Sequence, residues 1–322
     1  MEFHLAYHPK PLAATISHDQ KLLLIGSCFT EQIGNKLAQH KFQILDNPNG
    51  ILFNPVSITS SVKSYISNRK YTEADLFYQN ECWNSWHHHS RFSHPDKEEC
   101  LTQINWSRNN AHDFLKEAGW LVLTLGSAFV YQLEDGSIAA NCHKVSIDKF
   151  DKRLLSIEEV IENLENMMLE LLIFNPGISI IFTISPVRHL RDGFVENNRS
   201  KAVLINAVHR IVEKNDRCFY FPAYELIIDD LRDYRFYAED MVHPNYAATN
   251  YVWGKFISTC IDEPSHQLMR LINEINAARQ HKPFHPSSAA HLKFLRTYLE
   301  KVKELKAKYP YLDFREEMEY FS

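Results

Sequence analysis

Short apolar runs alternate with amphipathic stretches along the chain as far as about Cys260. Lys21 to Ile25 reads as a buried strand, and Phe29 to Gln39 as a helix with Phe29, Ile33 and Leu37 spaced for one face. Phe42 to Leu45 predicts a second strand. Asn54-Pro55 is a helix start for Val56 to Ile66, with Asn as the cap and Pro in the first turn. Tyr71 to His94 is polar and aromatic without a clear period. A helix ending near Ala118 follows, then a strand from Trp120 to Leu125 closed by Gly126. Ser156 and Glu159 form a capping box for a helix to about Phe174, and Ile178 to Ile184 is a β-branched strand. A helix over Ser200 to Lys214 and a strand over Cys218 to Phe221 complete the alternation.

Strands alternating with helices predict a doubly wound α/β domain, its parallel sheet covered on both faces. After Cys260 the strand signals stop, and the tail reads as two or three helices, including the charged pattern His291 to Lys308. The expected division is therefore an α/β domain over residues 1–262 and a helical extension over 263–322 packed on it, with an oligomer interface as the other use of those helices. No internal repeat or low-complexity segment interrupts this plan.

Composition narrows the possibilities. A chain of 322 residues with 45% apolar and 12% aromatic side chains can bury one large core or two modest ones. The formal charge of −5, with no run of Lys and Arg interleaved with aromatics, argues against a nucleic-acid partner. The start MEFHLAYHPK has no basic segment leading into an apolar run, and no stretch approaches the roughly 18 apolar residues of a membrane span. The expectation is a soluble, cytoplasmic protein of undetermined oligomeric state. The six cysteines are scattered without a C-x-x-C pair, which predicts reduced thiols and leaves Cys28 free for chemistry.

In open α/β sheets ligands sit beyond the carboxyl ends of the strands. Three of the nine glycines fall there: Gly26 after the first strand, Gly50 beyond the second and Gly126 after the Trp120 strand. Gly26 leads into Ser27 and Cys28 at the start of a helix, where unpaired N–H groups and the helix dipole favour a thiolate or an oxyanion. Taken alone, Ser27 also reads as a helix cap and Cys28 as a small buried apolar residue. A second segment, YAEDMVHPNYAATNYVW, carries Asp240 three residues before His243, a spacing that lets a carboxylate orient an imidazole base and that also suits a surface ion pair.

Other clusters admit two readings each. Trp86-His87-His88-His89 with His94 suggests zinc by residue type, but no carboxylate or Cys stands at a standard partner spacing. A loop shaping a substrate pocket through His88 and His89 is the preferred expectation, with no metal and no cofactor. Asn141-Cys142-His143-Lys144 is either a ligand-contact loop or a polar turn. Arg188 and His189 follow the Ile178 strand, where an Arg can grip a carboxylate or phosphate with two prongs, or close a salt-bridged loop.

Gly26-Ser27-Cys28-Phe29-Thr30, NPNGILFNP (Asn47 to Pro55), WNSWHHHSRFS (Trp83 to Ser93), LTLGSAFVY (Leu123 to Tyr131), ANCHK (Ala140 to Lys144), SPVRHLRDGF (Ser185 to Phe194) and DLRDYRFYAEDMVHP (Asp230 to Pro244) occur in this order. Together they make the chain resemble the GSCFA family along nearly its whole length. That family is grouped with the SGNH (GDSL-like) hydrolases. The resemblance implies a three-layer α/β/α domain, an acyl-ester hydrolase or acyltransferase, and a small-molecule or glycan acyl substrate, of carbohydrate O-acyl or lipid type. It also implies that Asp240 and His243 supply the base and that Gly50 is the oxyanion glycine. Two departures stand out. Registering Gly-Asp-Ser on Gly26-Ser27-Cys28 puts Cys28, not Ser27, at the nucleophile position. Ala128 replaces the oxyanion Asn, leaving Cys28 N–H with Asn54, Ser127 and Asn141 as candidate donors. A non-catalytic glycan- or metabolite-binding module that retains the pocket is the alternative, and a metal-dependent hydrolase a third.

Overall fold

A computed structural model describes residues 4–322. The chain forms β1 (Lys21–Gly26), α1 (Cys28–Gln39), β2 (Gln43–Asp46) and α2 (Pro55–Ile66), then a hairpin of β3 (Phe77–Gln79) and β4 (Cys82–Asn84), then α3 (Lys97–Glu117). After β5 (Ala118–Leu125) comes a small antiparallel sheet of β6 (Phe129–Gln132), β7 (Ile138–Ala139) and β8 (Asp151–Leu154). There follow α4 (Ile157–Phe174), β9 (Ser179–Ile184), α5 (Gly193–Val212) and β10 (Cys218–Tyr220). Next, α6 (Ala223–Glu225) runs into a π-helical turn, Leu226–Leu231, and α7 (Tyr246–Cys260) closes the α/β part. The tail is α8 (Glu263–Gln280), α9 (Ala289–Lys308) and α10 (Arg315–Phe321).

The central sheet is parallel throughout, in the order β10-β9-β5-β1-β2. Strand side chains alternate between faces. Leu23 and Ile25 therefore join a cluster with Val62, Leu164 and Leu204 from α2, α4 and α5, whereas Leu22 and Leu24 join Phe29, Val252 and Phe256 from α1 and α7. This sorting makes the three layers. Asn54 caps α2 by accepting from Ser57 N–H at 2.8 Å, and Ser156 and Glu159 form the expected box on α4.

The structure departs from the sequence expectation in three places. The stretch Tyr71 to His94 contains the β3–β4 hairpin, and a three-stranded sheet occupies part of 129–154 where no strand was expected. These strands are two to four residues long, too short to show a period. Helix α5 starts at Gly193, ahead of the expected Ser200, because Gly193 at φ +86° lets the chain turn into it.

The tail helices build a cluster of their own around Ile272, Val302, Leu305 and Phe314. They meet the α/β part through the Lys41–Glu317 ion pair (3.0 Å) and the bond from Asn276 Nδ2 to Gln39 O (2.8 Å). Among the described residues no helix is long and apolar enough to cross a membrane, and all six cysteines are free thiols.

Candidate functional site

Strand order places the site. From β1 the chain passes to β2 on one side and later to β5 on the other, so the direction of winding reverses between β1 and β5. The crevice beyond their carboxyl ends is where such folds admit ligands. It is flanked by Gly26 and Gly126, with Ser185 one strand further along, since Gly26 pairs with Thr124 and Leu125 with Ile184.

Gly26 holds a conformation reserved for glycine, φ +155°, and a Cβ there would overlap the Thr124 backbone and stand 2.7 Å from Thr30 Oγ1. Its N–H donates to Asn47 Oδ1 at 2.8 Å. Gly26→Ala is expected to cost about 2 kcal/mol or more, from backbone strain and overpacking together. A urea-unfolding midpoint equal to that of the parent protein would contradict this.

The turn delivers two side chains into different environments. Ser27 is buried, caps α1 by accepting from Phe29 N–H at 3.3 Å, and donates its hydroxyl to Ser185 Oγ at 2.9 Å. Cys28, the first residue of α1, is only half-buried and lies against the apolar cluster that also takes in Val242. The expectation that the helix start would lower its thiol pKa does not hold on balance. Burial pushes the thiol up, and the N–H groups of Phe29 and Cys28 and the charge of Lys201 offset this only in part.

The base segment forms a tight turn closed through Met241 at φ +58°. Asp240 Oδ1 accepts from the N–H groups of Val242 (2.9 Å) and His243 (3.0 Å), while Oδ2 accepts from His243 Nδ1 at 2.6 Å. These bonds hold the Asp240 carboxyl down at about 2. The imidazole is thereby fixed with Nε2 outward. Arg188 N–H donates to Val242 O at 3.2 Å and ties this turn to the loop after β9.

The oxyanion candidates divide. Gly50, at φ +81° under His89, gives its N–H to Asn47 O at 2.7 Å, so the expected role of that N–H as an open donor is corrected. Ser127 is likewise engaged, sharing a bond with Ser200 Oγ (3.2 Å) and accepting from Phe129 N–H (3.1 Å). The rest of that turn is closed as well: Gly126 and Ser127 N–H both donate to Phe53 O, and Ala128 N–H donates to Ser200 Oγ at 2.7 Å. Asn54 and Asn141 use their carbonyl oxygens on Ser57 N–H and His143 N–H, and both residues line the neighbouring cavity.

That cavity, about 850 Å³, is lined by Phe53, Gln79, Asn80, Phe129, Tyr131, His143, Arg188, His189 and Val242 among others, but not by Cys28 or His243. His189 stands at its inner edge. Burial, followed by the charges of Lys201 and His243, lowers its pKa to about 3, and its buried Nε2 has no partner among the described residues. It faces Gly126, whose hydrogen occupies the space where a Cβ would stand 3.0 Å from that nitrogen. Arg188 lies over the Tyr237 ring at 4.1 Å, with its buried Nη1 also unpartnered.

The expectation that His88 and His89 line the pocket is not met. His88 is buried, bonded through Nδ1 to Ser85 Oγ at 2.9 Å and packed on Tyr71 and Phe92. His89 caps a short 3₁₀ turn and covers Gly50. Among the described residues no three His, Cys, Asp or Glu side chains converge as a metal site. Sequence reading gave no role to Lys201 and Ser200, which reach the strand ends from α5, or to Ser185, which directly follows β9. Lys201 follows Ser200 in an otherwise ordinary helical pattern, and only its burial sets it apart.

The GSCFA family model matches residues 21–256, and that of the GSCFA domain protein, C-terminal domain, matches residues 272–322. No curated protein matches the chain. Among solved structures, a carbohydrate esterase family 3 from Talaromyces cellulolyticus is 10% identical with a TM-score of 0.35, over 79% of this chain and 99% of its own. An acetyl esterase point mutant with acetate ion is 10% identical with a TM-score of 0.36, over 80% of this chain and 99% of its own.

Proposed function

Since the chain belongs to the GSCFA family, whose motifs converge on the β1–β5 crevice, we propose that it is a thiol-dependent hydrolase or acyltransferase of the SGNH kind, acting on acyl esters. The observation that carries this is the contrast between Ser27, buried and doubly hydrogen-bonded, and Cys28, half-buried at the first turn of α1 beside the segment that holds a carboxylate-oriented His243.

In this reading Cys28 gives its proton to His243 Nε2 and attacks the ester carbonyl carbon. The negative charge on the carbonyl oxygen is met by Cys28 N–H, with Asn54, Asn141 or the neutral His189 imidazole as second donor. Collapse breaks the bond to the alcohol oxygen, which takes the proton back from His243 and leaves a Cys28 thioester. Water, activated by His243, releases the acid and restores the thiol; another hydroxyl in its place makes the reaction an acyl transfer. A raised thiol pKa suits removal of the proton as attack begins rather than a standing ion pair.

The cavity favours a carbohydrate over a long acyl chain. Gln79, Asn80 and Asn141 share its lining with Phe129 and Tyr131, a mix of amides and aromatic surface that suits a sugar's hydroxyls and apolar ring face. Arg188 Nη1 adds a position for a carboxylate or phosphate on the same substrate.

The test is covalent labelling read by peptide mass, with chloroacetamide and separately a fluorophosphonate, on the parent protein and on His243→Ala. Chloroacetamide labelling of Cys28 that falls at least tenfold without His243 is the expected result. Labelling of Ser27 by the fluorophosphonate would overturn the choice of nucleophile. Labelling of both residues at rates indifferent to His243 would favour the binding-module reading, which the closed Gly50 and Gly126–Ala128 donors also favour.

A further inference from the structure

The cavity beside the β1–β5 crevice carries a charge imbalance. Its lining includes three basic side chains, Arg188, Arg191 and Lys144, and one carboxylate, Asp192. Asp192 is paired with Lys152, whereas none of the three lining cations makes an ion pair among the described residues. Unpaired positive charges gathered around one concavity repel one another, and they stand out in a chain of formal charge −5. The arrangement becomes favourable when a ligand brings the opposite charge.

Arg188 is the best held of the three. It is half-buried on the loop after β9, and its N–H donates at 3.2 Å to the carbonyl of Val242, the residue before His243. The guanidinium carbon lies 4.1 Å from the centre of the Tyr237 ring and 5.0 Å from that of Tyr234. Stacking of this kind engages the flat face of the guanidinium and leaves its N–H edges for an acceptor in the plane. Among the described residues no acceptor meets the buried Nη1, and an unmet N–H on a charged group is costly. Val242 lines the same cavity, so an anion on Arg188 lies against the turn that carries His243.

We propose that the substrate is an anionic acyl ester: a sugar bearing a carboxylate or phosphate that Arg188 grips with two N–H groups, while the exposed Arg191 and Lys144 draw it into the cavity. Carboxylate and phosphate share what the guanidinium fork requires, two oxygens on one centre. The anion fixes which end of the sugar faces the His243 turn, and a neutral ester of the same size lacks that anchor. The inference rests on the reading of this cavity as the place of an acyl ester, but anion binding itself needs no nucleophile.

The experiment is isothermal titration calorimetry of the full chain with glucuronate, glucose 6-phosphate and glucose at constant ionic strength. At least one of the two anions is expected to bind about tenfold or more tightly than glucose, and the preferred one identifies carboxylate or phosphate. Folded Arg188→Gln should lose that preference while its affinity for glucose stays as in the parent. Arg188→Lys, which keeps the charge without the fork, should recover only part of it. No preference for either anion in the parent, or a preference that survives in Arg188→Gln, would overturn the proposal. Should Arg188→Gln not fold, the exposed pair Lys144→Gln and Arg191→Gln, changed together, must weaken the anions about threefold or more and spare glucose; unchanged anion affinity then overturns it. Cys28→Ala separates this claim from the mechanism. Ester hydrolysis undiminished in that variant would remove the thiol nucleophile and leave the anion preference standing, whereas hydrolysis that depends on Cys28 without an anion preference would remove the anion site alone.

Discussion

Cys28→Ala is expected to reduce turnover of 4-nitrophenyl acetate by about three orders of magnitude or more, because in the proposed mechanism Sγ carries the acyl group. The fold should tolerate the change. Cys28 is half-buried, and among the described residues its side chain makes no hydrogen bond to another element. The informative comparison is Ser27→Ala. Its hydroxyl caps α1 and bonds Ser185, so this variant is expected to lose about 1 kcal/mol of stability while keeping most of the activity. Steady-state rates and urea midpoints on both variants decide the matter. Activity lost with Ser27 and retained without Cys28 would return the mechanism to a serine nucleophile.

His243→Ala should lower kcat/KM about 10²- to 10⁴-fold, the range for removing a positioned general base. Asp240→Asn should reproduce part of that loss, since Asp240 orients the ring through Nδ1 and through its bonds to two backbone N–H groups. The sign of its pH effect follows from the depressed carboxyl. A carboxyl held at about 2 rather than 3.8 contributes fully above 3.8 and loses its contribution only as pH falls through about 2. Any fall of activity between pH 7 and 4 therefore does not arise from Asp240, and Asp240→Asn should lower the plateau without moving that limb. A shifted acid limb in Asp240→Asn would contradict this assignment. The turn sits at the surface, so neither variant is expected to unfold the protein.

Several of these features are legible in the chain itself. The alternation of buried runs and amphipathic helices fixes a parallel sheet covered on both faces, because only strands buried on both sides are apolar at successive positions. The caps at Asn54 and Ser156 are local events, and they appear in the structure as the spacing predicts. The Asp240–His243 pairing is also local, three residues apart within one turn.

The state of the candidate oxyanion donors and the residues that line the cavity were not legible, for a physical reason. Whether Gly50 N–H is open depends on where Asn47 O lies, and whether Ser127 is open depends on Ser200, 73 residues later in the chain. His88 and His143 are both histidines in polar, aromatic segments. One is buried against Tyr71 and Phe92 and the other lines the cavity.

Sequence by itself determined the order of the central-sheet strands and the helices between them, the glycine turn that presents Ser27 and Cys28, and the imidazole–carboxylate pair, since each is set by residues within a few positions of one another. The tertiary structure alone decided which of two adjacent candidate nucleophiles is buried and hydrogen-bonded and which is half-buried, which backbone N–H groups are already engaged, and that a lysine from α5 bonds the ends of β5 and β9. Those outcomes depend on contacts between distant segments, and the burial that lowers the pKa of Lys201 exists only once the layers have packed.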